Sequence, residues 1–391
     1  MVTTQRHFDR ICPSIPYANP DKGELASALV AEFAPYLDAN NANTDDSFSP
    51  TDIATIFTHA PHLLFLARRF ADDIARILAG NAADIINEAH DKFRQSMRHI
   101  DDENKAMQTI RHFRGRVSFA AALADIAGLT IMETQFTWLS DAATCAVQET
   151  AHFLMRHAAR RGLAKPPQDN LSGCGWIIFA VGKLGAEELN YSSDIDLIII
   201  HDPDANPLND PATAQAFYVA QTRALVKLLS AATADGIGWR IDLRLRPDPG
   251  ATAVSIQIAA ALGYYESIAR TWERAAFIRA RPIAGDIEAG YAFLDEIQPF
   301  IWRRSFDYTV MDDMRTMLRR PPDSSQWTEF NLKTGHGGIR PIEFFTHVLQ
   351  LVFGGREPEI RQHRTPQALH MLAKKDWITS AQANGLIALY T

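Results

Sequence analysis

The 391-residue chain is 47% hydrophobic and 22% charged, the balance of an ordinary globular protein, which excludes a fibrous or largely disordered chain. At roughly 150 residues per domain it holds two or three domains. Its net charge of −7 opposes general binding to nucleic acid, and its apolar runs fall far short of the roughly 18 residues of a membrane span, so neither is expected as a partner.

The opening MVTTQRHFDRICPSIPYANP has no basic segment followed by an apolar stretch, so no export signal is read there. Cys12, Cys145 and Cys174 are scattered and form no CxxC pair, which points to a reducing compartment, the cytoplasm, and to no zinc module. From Gly23 to Gly162 apolar residues return every three or four positions, as at Leu63, Leu66, Phe70 and Ile74, predicting a helical domain over residues 1–165. Thr130 and Glu133 have capping-box spacing at the head of a long helix that Gly162 ends.

The texture then changes. GWIIFAV and DIDLIII are short apolar runs that read as strands, Pro211 to Asp235 reads as a helix, and RIDLRLRP alternates as a third strand. VSIQ suggests a short fourth. From Ala259 the pattern is again helical, with breaks at Pro282, at Pro321 to Asp323 and at Gly335 to Gly338. The fold class is therefore α+β: a central domain over 166–283 between the helical residues 1–165 and a helical bundle over 284–391. The last residues, IALY, are helical without a stop signal, as in a piece of a longer chain.

Asp194 and Asp196 flank Ile195, and on a strand residues i and i+2 share a face, so two carboxylates project together and call for a cation between them. Mg²⁺, a hard ion held by a few carboxylates plus phosphate oxygens, is the natural occupant, with Mn²⁺ as the alternative. Asp242, on the third strand, supplies a further carboxylate; three such acids can hold two ions roughly 4 Å apart for in-line displacement at phosphorus. Gly182 and Lys183 before the acids, and Ser192 and Ser193 beside them, can offer amide, ammonium and hydroxyl donors to a phosphate. Arg240, Asp242, Arg244 and Arg246 would share one strand face, an arginine row suited to polyanionic phosphate.

A GK pair, then two acids around an apolar residue, then a later acid on a strand resembles the nucleotidyltransferase superfamily that includes polymerase-beta-like enzymes, whose fold carries a mixed sheet. FAVGKLGAEELNYSSDIDLIIIHD from Phe179, WRIDLRLRPDPGATAVS from Trp239, YYESIARTWERAAFIRARPIAG from Tyr264 and GHGGIRPIEFFTHVLQLVFGGREPEI from Gly335 are similar to the bifunctional glutamine synthetase adenylyltransferase/adenylyl-removing enzyme family. That family has two similar halves. ELNYSSDIDL and GGIRPIEF resemble the amino-terminal, adenylyl-removing one.

The resemblance implies phosphorolysis: phosphate attacks the AMP phosphorus on the adenylylated tyrosine of glutamine synthetase and ADP leaves. It assigns Asp194, Asp196 and Asp242 as catalytic metal ligands, and Gly182, Lys183, Ser192 and Ser193 as the phosphate cradle. Arg244 and Arg246 would bind the attacking phosphate or neutralise the transition state. The implied partners are glutamine synthetase, a PII signalling protein, phosphate and ADP or ATP. Because both halves share the carboxylates, ATP-dependent adenylylation stays open, as does a non-catalytic docking module. The chain departs from the family's RGGIR-plus-acid pattern at His336 and Pro341, and Pro341 is tolerable only in the first turn of a helix.

Other signals read as structural. His90-Asp91 is a chance dipeptide, Glu343 and His347 are a packed pair one helical turn apart, and Tyr264, Tyr265, Trp272 and Trp302 are core aromatics.

Overall fold

The computed structural model describes residues 20–37, 49–205, 207–303, 331–335 and 337–391; Cys12, the break at Pro321 to Asp323 and His336 lie outside these. The chain forms two compact units, Met1–Glu149 with Ala232–Gly238, and Thr150–Ala231 with Trp239–Thr391. Among the described residues no helix is long and apolar enough to cross a membrane.

The first unit is helical, as its periodicity predicts. Its helices Ala82–His99 and Glu103–Ile126 pack through Phe93 and Phe113, stacked 4.3 Å apart. Arg116 grips Asp73 with two parallel bonds of 2.7 and 2.8 Å. The long helix Met132–Arg160, whose residues from Thr150 on belong to the second unit, begins beyond Thr130, whose hydroxyl donates to the Ile131 carbonyl and closes no capping box. It ends as expected: Gly162 turns left-handed (φ +69°), and the Leu163 N–H returns to the Ala158 carbonyl.

In the second unit five strands form one mixed sheet: β1 (Trp176–Val181), β2 (Ile195–His201), β3 (Ile241–Asp242), β4 (Ile256–Gln257) and β5 (Arg281–Gly285). The order is β3-β2-β1-β5, with β4 also on β2; β1 runs antiparallel to β2 and β5, while β3 and β4 run parallel to β2. Every residue of β1 is buried. Ile177, Phe179 and Val181 join a core containing Tyr265, Phe277 and Phe293, and the indole of Trp176 donates to Thr222 of the Ala214–Ser230 helix at 3.3 Å. With both faces covered, β1 has no need of polar alternation, which is why GWIIFAV is continuously apolar.

Three expectations are corrected. The helix read from Pro211 to Asp235 stops at Ser230, because the chain becomes extended at Ala231 and Thr233 closes a turn with Gly236 (φ +90°). FIRARPIAG, read as helix around a proline break, supplies β5; Pro282 is accepted because β5 is an edge strand whose register shifts opposite Ile178 and Phe179. RIDLRLRP pairs only over Ile241–Asp242, and the arginine row does not form, because the Arg244 N–H turns back to the Asp242 carboxylate at 2.8 Å.

Candidate active site

Asp196 is set opposite Val181 in β1 and opposite Asp242 in β3, so the sheet places one carboxylate from each of two parallel neighbours side by side. Gly182, directly after β1, adopts φ +58°, and a Cβ there would strike the Asp196 carboxylate. The glycine therefore brings bare backbone against that acid. Gly182→Ala is expected to destabilise the protein by about 1–3 kcal/mol in urea unfolding, through the left-handed backbone and the clash.

Burial pushes the Asp196 carboxyl up to about 7, and the charges of Asp242 and Asp194 push the same way; Arg244 and Lys333 oppose them. Asp194 lies at the exposed edge, paired with Arg240, which also donates to the Ser192 carbonyl. The Arg244 guanidinium, bound to Asp242 at 2.8 Å, holds that carboxyl below the usual range. Among the described residues no three His, Cys, Asp or Glu side chains are gathered as a metal cage. Asp194 and Asp242 face arginines instead. The donor chemistry nevertheless suits a hard divalent cation: three carboxylates, one largely buried and short of positive charge.

The remaining expected residues divide. Ser193 donates its hydroxyl to Asn190 at 2.7 Å, and Ser192 contributes its carbonyl to Arg240. Arg246 braces its own loop, donating to the carbonyls of Leu243 (2.8 Å) and Pro249 (2.7 Å). Lys183 is drawn into a polar network with the carboxy-terminal helices: its ammonium donates to Tyr390 Oη at 2.6 Å and lies 3.1 Å from Glu343. Arg279, buried, pairs with Glu343 at 2.8 Å and Glu188 at 3.6 Å, and Glu188 also accepts from Tyr390 and from the Thr365 backbone. Burial alone would raise the Glu343 carboxyl, yet Arg279 and Lys183 hold it at about 2.

Sequence reasoning missed Lys333, whose charge reaches Asp196. Asn331 organises that turn by accepting from the Lys333 and Thr334 N–H groups at 3.0 and 2.9 Å. The one local signal is Asn331 ahead of a glycine-rich stretch, the mark of a turn, which carries no information about the distance from Lys333 to Asp196. Pro341 sits in the first turn of the Ile339–Phe353 helix, as its tolerance requires.

The structural readings of His90, Glu343, His347, Tyr265 and Trp302 agree with their surroundings. His90 is buried against Phe113 while the Asp91 side chain is 83% exposed, so the two diverge. Glu343 belongs to the Arg279 pair and His347 is buried; Tyr265 and Trp302 lie in the core, and the Tyr264 hydroxyl donates to Glu273 at 2.9 Å. The Trp272 side chain lies outside the described residues.

The glutamate-ammonia ligase adenylyltransferase family model matches residues 52–296, most of the chain and all three acids. The chain belongs to the glutamate-ammonia ligase adenylyltransferase family. A second model, GlnD PII-uridylyltransferase, matches residues 311–391. Among curated proteins, this family member is 40% identical over 348 residues to the bifunctional glutamine synthetase adenylyltransferase/adenylyl-removing enzyme of Xanthobacter autotrophicus, covering 87% of the chain and 33% of that protein. It is 39% identical over 390 residues to the same-named enzyme of Bradyrhizobium diazoefficiens, covering 97% of the chain and 39% of that protein. The adenylyltransferase-family chain thus spans between a third and two-fifths of the length of these relatives.

Proposed function

We propose that this chain is the adenylyl-removing half of a bifunctional glutamine synthetase adenylyltransferase/adenylyl-removing enzyme, acting in the cytoplasm on nitrogen assimilation. The observation that carries the reading is the Asp196–Asp242 pair on neighbouring strands with Gly182 against it. Asp194, Asp196 and Asp242 would hold Mg²⁺, or Mn²⁺, which when bound supplies positive charge to the phosphorus centre. A phosphate oxygen forms a bond to the AMP phosphorus as the tyrosyl oxygen departs with its electron pair, giving ADP and unmodified tyrosine.

The chain's own groups prepare that exchange. Gly182 allows the backbone to approach the reacting phosphates. Arg244, 82% exposed at its side chain, can leave Asp242 for the incoming phosphate, and Arg240 steers Asp194. Ser192, Ser193, Lys183 and Arg246 complete the proposed phosphate-handling set, Lys183 and Arg246 after leaving their present partners. The proposed division is 1–165 for the helical domain, 166–283 for the transferase domain and 284–391 for the bundle. The likeness of residues 311–391 to the PII-uridylyltransferase model supports a PII signalling protein as partner.

The direction is tested by incubating the chain with Mg²⁺ and adenylylated glutamine synthetase, with and without phosphate, and separating the nucleotides. ADP only with phosphate is the expected product. AMP would indicate hydrolysis and overturn phosphorolysis; in a parallel incubation with ATP and unmodified glutamine synthetase, ATP consumption would indicate the reverse, adenylylating activity and overturn the proposed direction.

A further inference from the structure

A cavity lies wholly within the helical unit. It measures about 420 Å³ and is lined by Arg69, Lys92, His112, Arg116 and Asp235, over a floor that includes Phe93. Its charge is unbalanced. Arg116 is committed to Asp73 and Glu88, and Arg69 to Asp235 at 3.0 Å, but Lys92 makes no hydrogen bond or ion pair with any described residue. Burial lowers the His112 pKa, and the fields of Arg69, Lys92 and Arg116 lower it further, so the imidazole sits in positive potential. Gln108, Thr109 and Ser96 add neutral donors at the wall.

We propose that this cavity binds a small oxyanion-bearing metabolite, its anionic group taken between Lys92 and Arg69 in place of Asp235. The cavity opens to solvent, with Lys92 exposed and Arg69 and Asp235 partly so, and its lining sets three basic side chains against the single carboxylate of Asp235, a local excess of positive charge that attracts an anion able to accept charge-assisted hydrogen bonds. Asp235 is then the built-in competitor. It sits in the turn Ala232–Gly238, whose Gly236 and Ile237 carbonyls accept from Arg111 and Arg114 at 3.4 and 3.1 Å. The chain runs on from that turn into β3, which carries Asp242. Displacing Asp235 from Arg69 therefore removes one of the ties on this turn, those from Arg111 and Arg114 remaining.

Opposite responses of two variants test this. Isothermal titration of the full chain with malonate, and separately with inorganic phosphate, compares wild type with Lys92→Gln and Asp235→Asn, both outside the proposed active site. Saturable binding that weakens at least about fivefold in Lys92→Gln and tightens severalfold in Asp235→Asn is expected. A malonate response identifies a carboxylate ligand and a phosphate-only response a phosphoryl one. Because Lys92 is exposed, its substitution leaves the fold intact. Failure of both probes to bind wild type, or equal affinity in all three proteins, overturns the proposal, the latter because phosphate would then be bound elsewhere.

Discussion

Asp196→Asn is expected to lower turnover at least ~10²-fold while making the metal-free protein more stable above neutral pH. The two effects have one cause. Asp196 is partly buried beside Asp242 and Asp194, and its carboxyl is pushed up to about 7, so the folded state favours the neutral acid below that pH. For an acid whose folded pKa is raised, the penalty is absent below the unfolded value near 4, grows as pH rises towards 7, and is constant beyond it. Removing that charge should return at most ~4 kcal/mol at pH 8 in EDTA, read by urea unfolding. A variant that loses activity and stability together would show that Asp196 is structural.

Arg279→Met is expected to destabilise the protein by about 3–5 kcal/mol, the largest loss foreseen for any single position. Arg279 is buried and neutralises two carboxylates, Glu343 at 2.8 Å and Glu188 at 3.6 Å, which its loss would strand in a dry interior. Glu343 is held at about 2 by Arg279 and Lys183, so the pair stabilises the fold fully above about pH 4.5 and progressively less as pH falls to 2. The double change Arg279→Met with Glu343→Met should recover part of the loss, since removing both charges leaves fewer unpaired groups. Denaturant unfolding at pH 7 measures both; a loss under 1 kcal/mol for Arg279→Met would mean that the network carries little.

The residues that were legible in the sequence are those whose role is local. GWIIFAV and the acids around Ile195 declare buried strands, and the three-and-four spacing at Leu63, Leu66 and Phe70 declares the helical unit. Gly182 beside Asp196 was legible as a glycine turn, although its contact with that carboxylate was not. What escaped depends on long-range pairing. β5 hides in helix-favouring Ala and Arg because its strand character comes from β1 alongside it. The row of arginines after Arg240 has perfect alternation but lacks a partner strand beyond Asp242, and side-chain bonds to the backbone then end it. The contacts of the Lys183 ammonium were likewise not legible, because Tyr390 and Glu343 lie more than a hundred residues away in sequence.

The most direct measurement is a calorimetric titration of Mg²⁺ into the chain at pH 8, repeated with Asp196→Asn and Asp242→Asn. The proposed site predicts saturable binding in the wild type that falls at least tenfold in each variant, because every removed carboxylate is a ligand lost. Wild-type affinity unchanged by both substitutions, or no binding at all, would contradict a metal centre built on Asp196 and Asp242.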